Sequence, residues 1–181
     1  EATLTEPLLQ ALEPGMLLTA DRAFFSYALW RRAIGTGAYL LWRVRTDSAG
    51  PKPTHLDDLA DGSWLAHLRS NATAAARRQE PMLVRVVDYT IEDGRANAVS
   101  YRLFTTLTDP EEVSASELAA AYTHRWEIEV AFDELKTHQR GPRTVLRSKS
   151  PDLVLQEIWG HLCCHYAIRT LMTQAAQHGG H

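Results

Sequence analysis

Tyr122, Arg125, Glu129 and Lys136 have the types and the spacing to do chemistry together. A carboxylate suits a hard divalent cation, and arginine and lysine suit anionic oxygen. Placed on a helix at about 100° per residue, the four fall within roughly 60° of one another. Ile128, Ala131, Phe132 and Leu135 form the adjacent apolar arc, and Glu127 and Glu134 point away toward solvent. The polar stripe therefore borders a buried face. The competing reading is an exposed ion-pair stripe, because Arg125 and Glu129 are i, i+4 partners.

The stripe needs elements to hold it. Gly15 to Ala20 reads as a buried strand ending at Asp21. Ser26 to Ile34 reads as a helix stopped by Gly35-Thr36-Gly37. Ala38 to Arg45 reads as a second strand, where Leu40, Trp42 and Val44 alternate with Leu41, Arg43 and Arg45, so that one face becomes basic. Strand, helix, strand implies a βαβ unit and an α/β fold. Asp47 to Pro53 is turn-rich, and His55 to Arg78 reads as short helical or irregular pieces around Trp64 and Leu68. Pro81 to Tyr89 and Val99 to Leu107 read as strands joined at a hairpin signal, Asp93-Gly94. Val99, Tyr101, Leu103 and Thr105 share one face of the return strand. Ser114 and Glu117 form a capping box, which opens one long helix to about Thr137. Gly141-Pro142 ends that pattern, and Ser150-Pro151-Asp152 starts the last helix.

The composition, 45% hydrophobic and 23% charged over 181 residues, is that of a globular domain. No apolar run approaches the ~20 residues of a membrane span, and the N-terminal residues lack the basic start and apolar core of a signal peptide. A cytoplasmic, membrane-free location is expected. Cys163 and Cys164 adjoin in an apolar segment and form no disulfide framework. His161 and His165 flank them, but neighbouring cysteines on a helix diverge, so a core helix with partly buried histidines is expected rather than a metal site. The net charge is −3, yet the basic residues cluster. Arg22, Arg31, Arg32, Arg43 and Arg45 fall in one acid-free stretch, and Lys136, Arg140, Arg143, Arg147 and Lys149 in another. Either is a solvated surface or a phosphate-binding face.

Tyr122-x2-Arg125-x3-Glu129-x6-Lys136 resembles the Y-R-E-K motif of bacterial insertion-sequence transposases with a DDE site, and the surrounding Tyr122-Thr-His-Arg-Trp-Glu-Ile-Glu129 is similar to that family as well. Leu17-Leu-Thr-Ala-Asp21-Arg22 resembles the strand that ends in the family's second catalytic Asp. The resemblance implies an incomplete ribonuclease-H-like fold, a mixed sheet with flanking helices that carries a β-rich insertion. Residues 1–46 would be the first part of the core, 47–107 the insertion, and 108–181 the core helices with the catalytic Glu. It implies DNA transposition, with phosphodiester cleavage and strand transfer at transposon ends. Such chemistry uses two divalent cations about 3.5–4 Å apart. Asp21 and Glu129 would be catalytic metal ligands for Mg2+ or Mn2+. Arg125 and Lys136 would hold phosphates and Tyr122 would hydrogen-bond one. Arg22, Arg143 and Arg147 would add DNA contacts. In the family an aromatic from the insertion stacks on a flipped-out base; Tyr101 holds a similar place, with Trp64 as rival and a core aromatic as the alternative for each. The partner would be transposon-end double-stranded DNA, bound by a homodimer when full length.

One departure is plain. The family's first catalytic Asp lies upstream of the second, and no Asp precedes Asp21 here. Asp133 has no geometric claim to replace it. The chain begins at Glu1 rather than Met, so it is expected to be a fragment without a complete active site. Two alternatives stand beside catalysis: a catalytically dead DNA-binding remnant, and a structural α/β interaction domain.

Overall fold

The computed structural model describes residues 7–70, 73–92, 98–135 and 146–178. By contact density the chain divides into two compact units, Glu1–Arg125 and Trp126–His181.

The first unit is mixed α/β, built on a six-stranded mixed sheet flanked by helices, as a ribonuclease-H-like fold requires. Strands β1 (Leu17–Ala20) and β2 (Tyr39–Val44) are parallel and joined through helix α1 (Tyr27–Ile34). The Ser26 hydroxyl caps α1 by accepting from the Leu29 amide. This is the expected βαβ unit.

The stretch from His55 to Arg78 departs from expectation. It forms strands β3 (Thr54–Asp58) and β4 (Trp64–Leu68), then a short helix α2 (Ala74–Arg78). The tight connection between β3 and β4 rests on Gly62 at φ +84° and on Asp61, which accepts from the Ser63 amide at 3.1 Å. A glycine reaches that φ without Cβ strain, and an Asx turn replaces a backbone turn. Strands β5 (Met82–Glu92) and β6 (Ala98–Thr105) complete the sheet, in the order β1-β2-β6-β5-β4-β3. Every pairing except β1 with β2 is antiparallel. The ladder of β5 and β6 opens at Glu92 with Ala98, and the Asp93-Gly94 signal lies outside the described residues, as does Gly141-Pro142.

The sheet carries a core on each face. On one face Leu40, Trp42, Val44, Val84, Val86 and Phe104 pack with Trp30 and Ala33 of α1. On the other, Leu41, Val87 and Leu103 pack with Leu118 and Tyr122 of helix α3 (Ala115–Thr123). Strands buried on both faces lose strict alternation. This explains why Leu41, expected on an open basic face, is fully buried.

The long helix expected to run to Thr137 is interrupted. Helix α3 ends at Thr123, and helix α4 (Arg125–Asp133) begins beyond His124. The Thr123 hydroxyl donates back to the Ala119 carbonyl at 3.0 Å, and the His124 amide turns to Tyr122. Such back-bonding by a threonine hydroxyl bends helices. Tyr122 therefore lies on a different helix from Arg125 and Glu129.

The second unit contains most of α4 and helix α5 (Pro151–His178). Glu134, expected toward solvent, stands 3.9 Å from His165 and 3.8 Å from Arg169 on α5. No α5 residue is buried, and Ile128 and Phe132 of α4 are exposed as well. The buried arc on α4 and the core helix around Cys163 and Cys164 are thus not observed; both cysteines are exposed. Helices bury only the strip between them until further layers close over it. Among the described residues no helix is long and apolar enough to cross a membrane.

Candidate active site

Asp21 stands where β1 ends, beside the end of the parallel strand β2. Its carboxylate accepts from the Arg22 amide at 2.7 Å and keeps a third of its side-chain surface exposed. Alternation along β2 turns Arg43 to the same face as Leu41, which brings its guanidinium to 3.8 Å from Asp21. The Arg43 guanidinium carbon also lies 4.0 Å from the centroid of the Tyr101 ring. Tyr101 stacks on Tyr89 across the β5–β6 ladder, with centroids 5.3 Å apart and an 18° interplanar angle. Since β6 sits between β2 and β5, Tyr101 is engaged from the strands on both sides.

Tyr122 closes this cluster from α3. Only 2% of it is exposed, and its hydroxyl makes no well-aligned hydrogen bond. Burial pushes its phenol above the ordinary value; Arg125 and Arg43 pull it back and Asp21 adds to the rise. The Arg125 guanidinium carbon lies 5.5 Å from the Tyr122 ring. Burial, with help from the neighbouring Tyr122 and Tyr101, pushes Tyr89 up to about 12 against the pull of Arg43. Asp21, Arg43, Tyr89, Tyr101, Tyr122 and Arg125 thus form one acid–base–phenol cluster at the end of the sheet. Beside it an open cleft of about 390 Å³ is lined by Thr46, Asp88, Tyr89, Thr90, Ser100, Tyr101 and Arg102.

A buried pin fixes the start of α3. Arg85 is fully enclosed on β5. It donates to the Ser63 hydroxyl at 2.8 Å and to the carbonyls of Leu107, Asp109 and Val113 at 3.3, 3.2 and 2.8 Å. Its remaining nitrogen binds the Asp61 carboxylate. Asp61 in turn accepts from the Ala115 amide at 2.6 Å, in the first turn of α3. Burial alone would raise the Asp61 carboxyl, but the Ser63 and Ala115 donors and the Arg85 charge outweigh it and lower it to about 2. The capping box adds the Ser114 hydroxyl, which accepts from the Glu117 amide, and the Glu117 carboxylate, which accepts from the Ser114 amide. With its first turn held at Asp61, α3 delivers Tyr122 to the opposite end of its length.

The other expected site residues fall in both units or outside the described residues. Glu129 is exposed on α4, in the second unit, whereas Tyr122 and Arg125 belong to the first. Lys136 and Arg143 lie outside the described residues. Arg22 is exposed next to Asp21. Arg147 is exposed in the second unit, where its amide and that of Ser148 donate to Glu157. Trp64 stacks on His55, and its indole N–H donates to Asp88 at 3.4 Å. Among the described residues no three His, Cys, Asp or Glu side chains gather as a metal cage.

Sequence reasoning left Arg43, Tyr89, Asp61 and Arg85 unassigned. The alternation of β2 carried the signal for Arg43, since it marks the face that Leu41 shares. Tyr89 and Arg85 needed the register of the sheet.

The mixed six-stranded sheet, with Asp21 at the end of β1 and the Tyr122-x2-Arg125 pair on the face that α3 covers, is of the ribonuclease-H-like class. Residues 1–167 match the family described as the transposase DDE domain, and the chain belongs to that family. It is 29% identical, over 178 residues, to the transposase InsG for insertion sequence element IS4 of Escherichia coli (strain K12). That alignment covers 98% of this chain and 40% of the relative, so the chain spans about two fifths of the length of the curated protein it matches.

Proposed function

We propose that this chain takes part in DNA transposition, binding transposon-end duplex DNA through the cluster around Asp21 and Tyr122. One observation carries the reading: a DDE-family strand end holds Asp21 in a group with Arg43, Tyr122 and Arg125. Arg125 offers a planar cation suited to a phosphate oxygen, and the buried Tyr122 hydroxyl reaches one only when DNA binding uncovers it. Lys136, Arg22, Arg143 and Arg147 extend the DNA contact in this reading.

Asp21 and Glu129 are the proposed ligands of Mg2+ or Mn2+. The donor chemistry fits, because both are carboxylates on residues that keep surface open to solvent. When bound, such a metal pair activates the attacking oxygen and stabilises the leaving one. Asp21 is held in place by the Arg22 amide, while Arg43 neutralises it. Tyr101 presents its ring to a DNA base only by parting from Tyr89 or Arg43, so base stacking requires that contact to open. Residues 1–46, 47–107 and 108–181 keep their roles as core, insertion and Glu-bearing helices, and pairing of two copies belongs to the full-length protein.

A second reading is that these residues, taken alone, bind DNA without cutting it. Both are tested by titrating wild type, Asp21→Asn and Glu129→Gln with Mn2+ and with labelled duplex, followed by a strand-nicking assay. Matching loss of Mn2+ affinity in the two variants, with duplex binding and no nicking by wild type, is expected. Undiminished Mn2+ affinity in both variants would overturn the metal assignment. Nicking by the wild-type chain would overturn its inactivity, and absence of salt-dependent duplex affinity would leave a structural interaction domain.

A further inference from the structure

We propose a second phosphate-binding site, for the backbone of duplex DNA, formed by Lys52, Thr54, His67 and Arg69 at the corner of the sheet diagonally opposite Asp21. It rests on the DNA-binding reading above but on different residues.

The register creates the site. Thr54 pairs with His67 across the antiparallel β3–β4 ladder. Residues two apart share a face, so Lys52, just before β3, and Arg69, just after β4, fall on the same side as that pair. Alternation confirms which side this is: His67 is exposed between the fully buried Ala66 and Leu68. Its neighbour across β5 is Leu83, also exposed, so this corner of the face is left open. There Lys52, Thr54, His67, Arg69 and Pro81 line an open depression of about 340 Å³, ample for a phosphate group.

The chemistry of the lining is one-sided. It contains two fixed cations, a hydroxyl and an imidazole, and no carboxylate. The chain has no Asp or Glu from Ser63 through Gln79. Arg69 donates to the Arg77 carbonyl at 3.3 Å, which ties α2 and its terminal Arg77 and Arg78 to the same corner. A surface built for solubility alone intersperses both signs of charge. Among the described residues no carboxylate takes part in this lining, and cations gathered around a concavity attract a polyanion.

The position is distinct from the Asp21 cluster. Five strand spacings separate β1 from β3, about 24 Å at ~4.8 Å each. That lateral offset alone corresponds to roughly seven base pairs of duplex at ~3.4 Å each, and the diagonal placement adds to it. The corner therefore grips DNA flanking the Asp21 cluster, independently of base sequence.

Salt dependence reads the contact directly. Wild type and the Lys52→Ala/Arg69→Ala double variant are titrated with fluorescent duplexes of two unrelated sequences over a series of KCl concentrations, after thermal unfolding verifies that both are folded. Each phosphate contact contributes about 0.9 to the slope of log affinity against log salt. The slope is expected to fall by about 2, with a loss of affinity common to both sequences. An unchanged slope, with wild type still binding, overturns this site and leaves the Asp21 reading standing. A wild-type chain that binds neither duplex overturns both. Inorganic phosphate is the second probe: if it perturbs the His67 ring resonances in wild type while the double variant binds duplex as wild type does, the site serves free phosphate and the DNA assignment fails.

Discussion

Arg43 stands 3.8 Å from Asp21, across the only parallel strand pair of the described sheet. The pair is partly exposed, with 17% and 33% of the two side chains accessible, so its net worth is about 1 kcal/mol or less. Asp21→Asn is therefore expected to shift stability in urea by no more than that, while Mn2+ affinity is lost. A large destabilisation would mark Asp21 as a structural residue.

Tyr122→Phe separates packing from chemistry. The ring fills the core between α3 and the sheet, whereas the hydroxyl has no well-aligned partner. Removing a buried hydroxyl without a partner costs little or stabilises. The variant is expected to unfold within about 1 kcal/mol of wild type and to bind duplex DNA more weakly. Equal DNA binding would remove Tyr122 from the phosphate-holding set.

Arg85→Ala should strongly destabilise the first unit. It leaves the Asp61 carboxylate without its counter-charge and three loop carbonyls without their shared donor. Breaking a buried ion pair from one side costs about 3–5 kcal/mol. Arg85→Lys keeps the charge but not the fork, so an intermediate loss is expected in urea unfolding.

Asp61 sets an acid limit. Its folded-state carboxyl is lowered to about 2 from an ordinary value of 3.8. The stabilisation is fully present above pH 4 and is lost as pH falls through 4 toward 2. The shift corresponds to about 2 kcal/mol. Stability curves of wild type and Asp61→Asn should therefore converge as pH falls across this window. Parallel curves would show that Asp61 does not carry the acid sensitivity.

At alkaline pH the sign reverses. Tyr89 is raised to about 12, chiefly by burial, so the folded state retains that proton longer than the unfolded chain does. Its contribution is complete below pH 10 and is lost as pH rises through 12. Ultraviolet titration should show Tyr89 among the late-ionising tyrosines of wild type, and the late amplitude should fall by one tyrosine in Tyr89→Phe while that of Tyr122 remains.

Much of this was legible in sequence because it is local. A capped eight-residue helix between two apolar strands gives a βαβ unit whatever surrounds it, and the strand ending at Asp21 followed from the Leu17–Ala20 run. The Ser114–Glu117 box marked the start of α3, because both partners lie within one turn. The β3–β4 hairpin was missed because its polar, exposed first strand, Thr54–Asp58, lacks an apolar face to betray it. The helical wheel of the signature failed at His124, where threonine back-bonding interrupts a pattern whose periodicity alone looks continuous.

The sequence by itself determined the residue types of the site, its membership of a motif and the elements that carry it. Only the tertiary structure decided that Arg43 stands between Asp21 and the Tyr101 ring, and that Arg85 reaches Asp61 and the start of α3. Those contacts join residues far apart in the chain through the lateral order of strands. Strand order is fixed by burial on both faces of the sheet, and no local run of residues specifies it.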